Sequence, residues 1–208
     1  MIDSASSVSA AAINRAAEII RGGGIVAFPT ETFYGLAADP FNPEALRRLF
    51  DLKGRSHDKP ILVLIDGLSR LSLLTKGTPG LYTSLIKEFW PGPLTLIFAG
   101  SGNLPELLTD SHGTVGIRWS SHPLATRLTA ASGGVITGTS ANPSGLPGAV
   151  SAEQVRDFFR TGIDFVLDGG PAPGGLGSTI VSIREHHLMP VREGVVPFAS
   201  ILAVGRGG

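Results

Sequence analysis

The chain has 208 residues, 42% apolar and 16% charged, which excludes a disordered polymer and fits one globular core. Lysine plus arginine equals aspartate plus glutamate at 17 each, so no global field draws the protein to nucleic acid or to an anionic membrane. The absence of cysteine removes disulfides, thiolate metal sites and a cysteine nucleophile. Locally, the segment from Arg47 to Lys59 holds Arg47, Arg48, Lys53, Arg55 and Lys59 against Asp51 and Asp58. No basic stretch precedes an apolar run near the N-terminus, and no segment approaches the roughly 20 apolar residues of a membrane span. The expectation is a soluble, cytoplasmic protein.

In chain order, residues 1–8 are small and polar and are expected to be loose. Ser9 caps a helix reaching Arg21, with Ile13, Ala16, Ala17 and Ile20 on one face. Gly22, Gly23 and Gly24 stop it, and Ile25–Phe28 reads as a doubly buried strand. Pro43 opens the next helix, on which Leu46, Leu49, Phe50 and Lys53 recur at three and four, and Gly54 ends it. Ile61–Ile65 is strand, Leu68–Leu74 and Pro79–Phe89 are helices, and Pro91 and Pro93 forbid continuation. Leu94–Ala99 and Val115–Trp119 are strands, His122–Ala131 a helix, and Val135–Thr137 a strand entering a polar turn at Thr139–Asn142. Ser151 and Gln154 match a capping box for a helix to Arg160. Phe165–Leu167, Thr179–Ile183 and Pro190–Val196 complete the strands, and Ala199–Val204 closes the chain as a helix. The alternation predicts one α/β domain spanning 1–208, a twisted mixed β-sheet flanked by helices.

The stretch from Gly24 to Ile65 sets hydroxyls and cations at strand ends, where open α/β sheets bind ligands. Lys53, Arg55 and Lys59 suit a triphosphate, and equally a solvated helix end where cations complement the dipole. Thr30 and Thr32 suit a small polar substrate or a capped turn, and Ser140 and Asn142 a phosphate-binding bend or an ordinary Asx turn. Arg118, inside an apolar strand, needs a carboxylate or an anionic ligand as partner, and Arg192 is a weaker case of the same kind. No phosphate-loop lysine motif, dinucleotide fingerprint or nucleophile elbow is present. His57, His112 and His122 lack partners at ligand spacing, and adjacent His186 and His187 point to opposite faces of a strand, so no metal site is expected.

Five motifs in order, GGGIVAFPTETFYGLAAD, KGRSHDKP, VGIRWSSHPLA, GTSANPSG and GSTIVSI, resemble the Sua5/YciO/YrdC family over residues 10–196. The pairs Lys53/Arg55 and Ser140/Asn142 match those of its active branch. The resemblance implies a single-domain YrdC-like fold and the synthesis of threonylcarbamoyl-AMP from L-threonine, bicarbonate or CO2, and ATP, with release of pyrophosphate. A separate tRNA threonylcarbamoyl transferase would then use the product at tRNA position 37. By the same resemblance Lys53 and Arg55 are catalytic. Arg55, Lys59, Thr114, Gly138, Ser140, Asn142, Gly148 and Arg192 hold ATP, and Thr30, Thr32, Arg118 and Ser178 hold threonine and bicarbonate. Mg²⁺ arrives with ATP, and no redox or organic cofactor is needed. On this reading, alanine at Lys53 or Arg55 ends pyrophosphate release and leaves the fold intact. Two positions depart from the family: Leu64 stands where some relatives carry His, and Arg192-Glu193-Gly194 where many carry Arg-Pro-Gly. Two alternatives stand beside this reading: a non-catalytic module gripping tRNA or double-stranded RNA with the same cationic face, and a carbamoyl-transfer relative with another substrate.

Overall fold

In the computed structural model, which describes residues 8–56 and 59–205, helix ends follow the capping residues closely. Ser9 Oγ accepts from Ala12 N (3.2 Å) at the start of α1 (Ala10–Arg21), whose buried face is Ile13, Ala16, Ala17 and Ile20. Asn42 caps α2 (Pro43–Lys53), and Gly54, at φ 56°, ends it in the left-handed conformation that glycine adopts cheaply. The expected helix over 68–74 is split into a 3₁₀ turn, Leu68–Arg70, and a single turn α3 (Leu71–Leu74). Four helices follow: α4 (Gly80–Phe89), α5 (Pro123–Ala131), α6 (Ala152–Phe158) and α7 (Phe198–Gly205). At α6 Ser151 Oγ accepts from Gln154 N, but Gln154 Oε1 accepts from Val150 N rather than from Ser151, so the box is displaced by one residue. Residues 1–7 and His57 lie outside the described residues. Val8, expected to be loose, packs partly buried against the core under α1.

The strands are β1 (Val26–Pro29), β2 (Tyr34–Ala37), β3 (Val63–Ile65), β4 (Leu94–Ala99), β5 (Thr114–Arg118), β6 (Val135–Thr137), β7 (Thr139–Ser140), β8 (Phe165–Val166), β9 (Thr179–Arg184) and β10 (His187–Arg192). They divide between two mixed sheets, β7-β2-β1-β8 and β10-β9-β4-β5-β3-β6. Strands β2 and β7 are additions to the expected set. The last strand starts earlier than expected, at His187, because Glu185 and His186 adopt positive φ (49° and 63°) and turn the β9–β10 hairpin. His186 therefore sits in a turn, not on a strand.

The six-stranded sheet is amphipathic in an unusual sense. One face carries Val63, Ile65, Leu94, Leu96, Val115, Ile117 and Val181 into a core shared with α3, α4 and α7. The other face, offset by one residue along each strand, looks toward the smaller sheet. The chain passes from one sheet to the other between β6 and β7, at Gly138. A Cβ there would lie 2.7 Å from Leu64 Cγ and 2.9 Å from Leu62 Cδ1. Gly138→Ala is therefore expected to cost about 1–3 kcal/mol through overpacking. Urea denaturation measures it, and an unchanged midpoint would mean that Leu62 and Leu64 have room to yield.

Candidate active site

The second face of the large sheet is the floor of a cavity of about 1270 Å³. Its residues follow the two-residue period of the strands: Thr95 and Ile97 from β4, Thr114, Gly116 and Arg118 from β5, and Ile180, Ser182 and Arg184 from β9. Leu62, just before β3, and Leu64 within it complete the floor. Register sets them in rows, with Arg118 beside Leu64, Ile97 beside Gly116 and Thr95 beside Ile180. Tyr34, Gly35, Thr139 and Ser140 from the smaller sheet form the facing wall.

Twelve of the thirteen residues expected at the site line this one cavity: Thr30, Thr32, Arg55, Lys59, Thr114, Arg118, Gly138, Ser140, Asn142, Gly148, Ser178 and Arg192. Arg55 and Asn142, far apart in sequence, share the same hollow. Gly148 is there because a Cβ would lie 2.7 Å from the Phe33 ring. Thr114 Oγ1 donates to Asp110 Oδ2 (2.8 Å), fixing a polar corner where β5 begins.

At the opposite end the loop after β1 is held by its own hydroxyls. Thr30 Oγ1 donates to Phe33 O (2.7 Å) and accepts from Thr32 N (3.1 Å), and the two threonine hydroxyls lie 3.0 Å apart. Between them Glu31 turns to Arg118. Their ion pair is 2.8 Å, and Arg118 is only 4% exposed. The partner that Arg118 required is thus a protein carboxylate, although Arg118 Nη1 also reaches Thr32 Oγ1 (3.5 Å) and its buried Nε has no hydrogen-bond partner. Burial raises the Glu31 pKa, but the charge of Arg118 and bonds from Ser120 and Arg118 outweigh it and hold the carboxyl below its usual range. Ser178 Oγ pairs with Thr95 Oγ1 (2.9 Å), and the Arg192 guanidinium donates to Ser178 O (2.8 Å from Nη2) and Oγ (3.2 Å). Glu193, in place of the proline of the family turn, accepts from Phe198 N and caps α7. Gly194 keeps its necessity, since a Cβ would fall 2.2 Å from Gly177 O.

Lys53 is the exception. It is 3% exposed and is absent from the cavity wall. Its Nζ donates to Ser140 O (2.5 Å), Asn142 O (2.7 Å) and Asn142 Oδ1 (3.4 Å). The cause is its place on the apolar face of α2 with Leu46, Leu49 and Phe50, which turns it away from the loop that carries Arg55. Burial, then the neighbouring Arg55, push its ammonium down to about 7. Lys53, expected to face a ligand, instead lies behind the cavity wall, and its removal would strip donors from three oxygens of the polar turn.

Residues missed in the sequence include Glu31, the apolar floor of Leu62, Leu64, Ile97 and Ile180, and the far corner of Asp110, Ser182 and Arg184. The two-residue spacing from Arg118 back to Thr114, and from Ser178 on to Arg184, carries that signal. Among the described residues, five cations, Arg55, Lys59, Arg118, Arg184 and Arg192, line the cavity against the carboxylates Asp110 and Glu193, so this lining is cationic in a chain of zero net charge. Burial, then Arg118, lower the pKa of Arg192.

Fold and site together define an α/β protein whose two sheets enclose a hollow of about 1270 Å³ lined by arginine, lysine and hydroxyl groups. The family model for Sua5, YciO and YrdC, described as telomere recombination, matches residues 18–194, and the chain belongs to that family. A threonylcarbamoyl-AMP synthase of Pyrococcus abyssi is 39% identical over 91% of this chain and 56% of its own length, and one of Pseudomonas fluorescens is 38% identical over 78% and 87%. The structure of P. abyssi Sua5 complexed with L-threonine superposes with a TM-score of 0.88 at 38% identity, over 92% of this chain and 56% of that one. The chain spans about half the length of the P. abyssi relative.

Glu31→Gln leaves Arg118 buried without its counter-charge and is expected to cost about 3–5 kcal/mol. Because the folded carboxyl is depressed below its ordinary value of 4.5, its stabilisation is present above that pH and is lost as pH falls through the folded value. Acid denaturation should therefore show a falling limb below about pH 4.5 that flattens in Glu31→Gln, and equal acid limbs in both proteins would exclude the ion pair.

Proposed function

We propose that this protein makes threonylcarbamoyl-AMP from L-threonine, bicarbonate or CO2, and ATP, releasing pyrophosphate. One observation carries the reading: Arg118 and Arg192 crowd one end of a cavity whose other walls bring Arg55 and Lys59 opposite the Ser140–Asn142 bend. Arg192, depressed by burial and by the charge of Arg118, calls for an anion beside it, and the two ends of the cavity call for two. A carboxylate-bearing amino acid suits the buried end, where Arg118 reaches Thr32 and Arg192 reaches Ser178. A triphosphate suits the rim, where Arg55 and Lys59 sit.

In the proposed reaction the threonine amine takes up CO2 and loses a proton to give a carbamate. A carbamate oxygen attacks the α-phosphorus of ATP, and the bond to the β-phosphate oxygen breaks with that oxygen keeping the electron pair, so pyrophosphate leaves. The protein supplies no nucleophile. It orients two bound partners and neutralises charge on the phosphates, which is where such a step gains most. Thr114, Gly138, Ser140, Asn142 and Gly148 frame the nucleotide, with Thr30 and Thr32 on the amino acid. Mg²⁺ would come with the nucleotide and would neutralise phosphate charge, and the proposed step needs no redox or organic cofactor. Leu64, beside Arg118, offers the amino acid only an apolar contact. The product is a mixed anhydride, an activated carbamoyl donor, and on this reading a separate transferase passes the group to tRNA. A cytoplasmic setting, with ATP and tRNA at hand, fits this, and among the described residues no helix is long and apolar enough to cross a membrane.

Pyrophosphate release with ATP and bicarbonate should require L-threonine and fall sharply with serine. Arg55→Ala should lower it by roughly 10²–10³-fold, as for loss of one transition-state donor. Release indifferent to the amino acid would overturn the reading.

A further inference from the structure

We propose that Lys53 is a positioning residue that holds the cationic loop and the polar bend in register across the cavity, without touching the nucleotide. The inference rests on the function proposed above and assigns Lys53 a place in it different from that of Arg55.

The geometry points away from direct contact. All the Lys53 ammonium donors have protein oxygens to serve: Ser140 O, Asn142 O and Asn142 Oδ1, at 2.5, 2.7 and 3.4 Å. Its backbone carbonyl accepts from Ser144 N (2.8 Å), so one residue is tied to the bend at 140, 142 and 144. On the other side Lys53 is the last residue of α2, and Gly54 turns the chain straight into Arg55, whose N–H returns to Phe50 O (3.0 Å). The offset between Arg55 on one wall and Ser140–Asn142 on the other is therefore set by one side chain.

The brace also fixes which way Asn142 faces. Its Oδ1 accepts from Lys53 Nζ and from Ser140 Oγ (2.6 Å), so its amide nitrogen must turn outward, donating to Leu146 O (2.5 Å) and Pro143 O (3.1 Å). The loop leading to Gly148 is thereby pinned to the same ammonium through one amide. Lysine is suited to this because an ammonium directs three donors over a cone, whereas the planar fork of arginine does not.

The test uses Lys53→Met, which keeps length and removes the donors, beside Lys53→Arg, which keeps the charge. In the ligand-free protein, amide exchange at Asn142 and Ser144 should quicken in Lys53→Met while exchange in β4 and β5 is unchanged; unchanged exchange at 142 and 144 would overturn the proposal. ATP binding by calorimetry should weaken about tenfold, the scale of one lost buried hydrogen bond, while L-threonine binding moves less than about threefold. Lys53→Arg should not restore ATP affinity; restoration would mean that charge near the phosphates is what counts. Adding Lys53→Met to Asn142→Ala should weaken ATP little further, and full additivity would indicate a contact of its own. Wild-type protein that binds no ATP would refute the proposed function instead, and the exchange result would still decide the brace.

Discussion

The cavity exists because the chain changes sheets within three residues, and the hydroxyl of Thr137 makes that possible. Thr137 is the last residue of β6, fully buried, yet its Oγ1 accepts from Ala38 N (2.8 Å) and donates to Leu36 O (3.0 Å), both at the end of β2. Its own N–H donates to Ala38 O (3.1 Å), while Gly138 N donates to Leu62 O (2.9 Å) on the other sheet. One side chain thus replaces the ladder bonds that two sheets meeting at an angle must lose. Unpaired backbone groups at such a junction would each cost about 1–3 kcal/mol. With the seam closed, the sheets diverge from it, and the space between them is the binding hollow.

Charge within the hollow is organised in two layers. Arg192 faces the space and donates to the backbone and hydroxyl oxygens of Ser178, so a negative ligand is a natural counter-charge for it. Arg118 sits deeper and is neutralised by Glu31, which makes its guanidinium a fixed donor rather than a loose charge. A desolvated arginine without Glu31 would be too costly to keep, while an arginine fully satisfied by it would offer a ligand nothing. The unpartnered Nε and the long reach to Thr32 are the remainder left for binding. Zero net charge overall is compatible with this because the excess is local.

Much of the architecture is local chemistry and can be read from the chain. Ser9, Asn42 and Gly54 define helix ends through bonds to residues two to four away, and Pro43 through its fixed φ, so their meaning does not depend on the fold. Strands β4 and β6 were legible for the same reason, as apolar runs between breakers. Strand β2 was not: Tyr34-Gly35-Leu36-Ala37 is buried at every position, has no alternation, and carries a glycine that is there because Phe28 lies across it. Two-residue β7 has no sequence signature at all. At the site, the need of Arg118 for a partner was legible, but the identity of Glu31 was not, since it depends on how the loop after β1 folds back. Arg55 and Lys53 show the limit most clearly. Two residues apart, they differ by about half a helical turn plus a left-handed glycine, and only the placing of α2 on the core decides which one faces the ligand.

That difference changes how the paired motifs are understood. A site for a highly charged nucleotide gains from cations, yet every cation added to its wall also repels the others and raises the cost of the empty state. Setting one of them behind the wall resolves the conflict. The Lys53 ammonium donates to carbonyls of the bend, whose dipoles offset part of the repulsion it feels from Arg55. On the proposed reading, the bend would present Ser140 and Asn142 to the nucleotide in a fixed orientation, prepared before the ligand arrives. Preorganisation of this kind, rather than the number of positive charges, is what would let a domain without a catalytic nucleophile act on a phosphoanhydride.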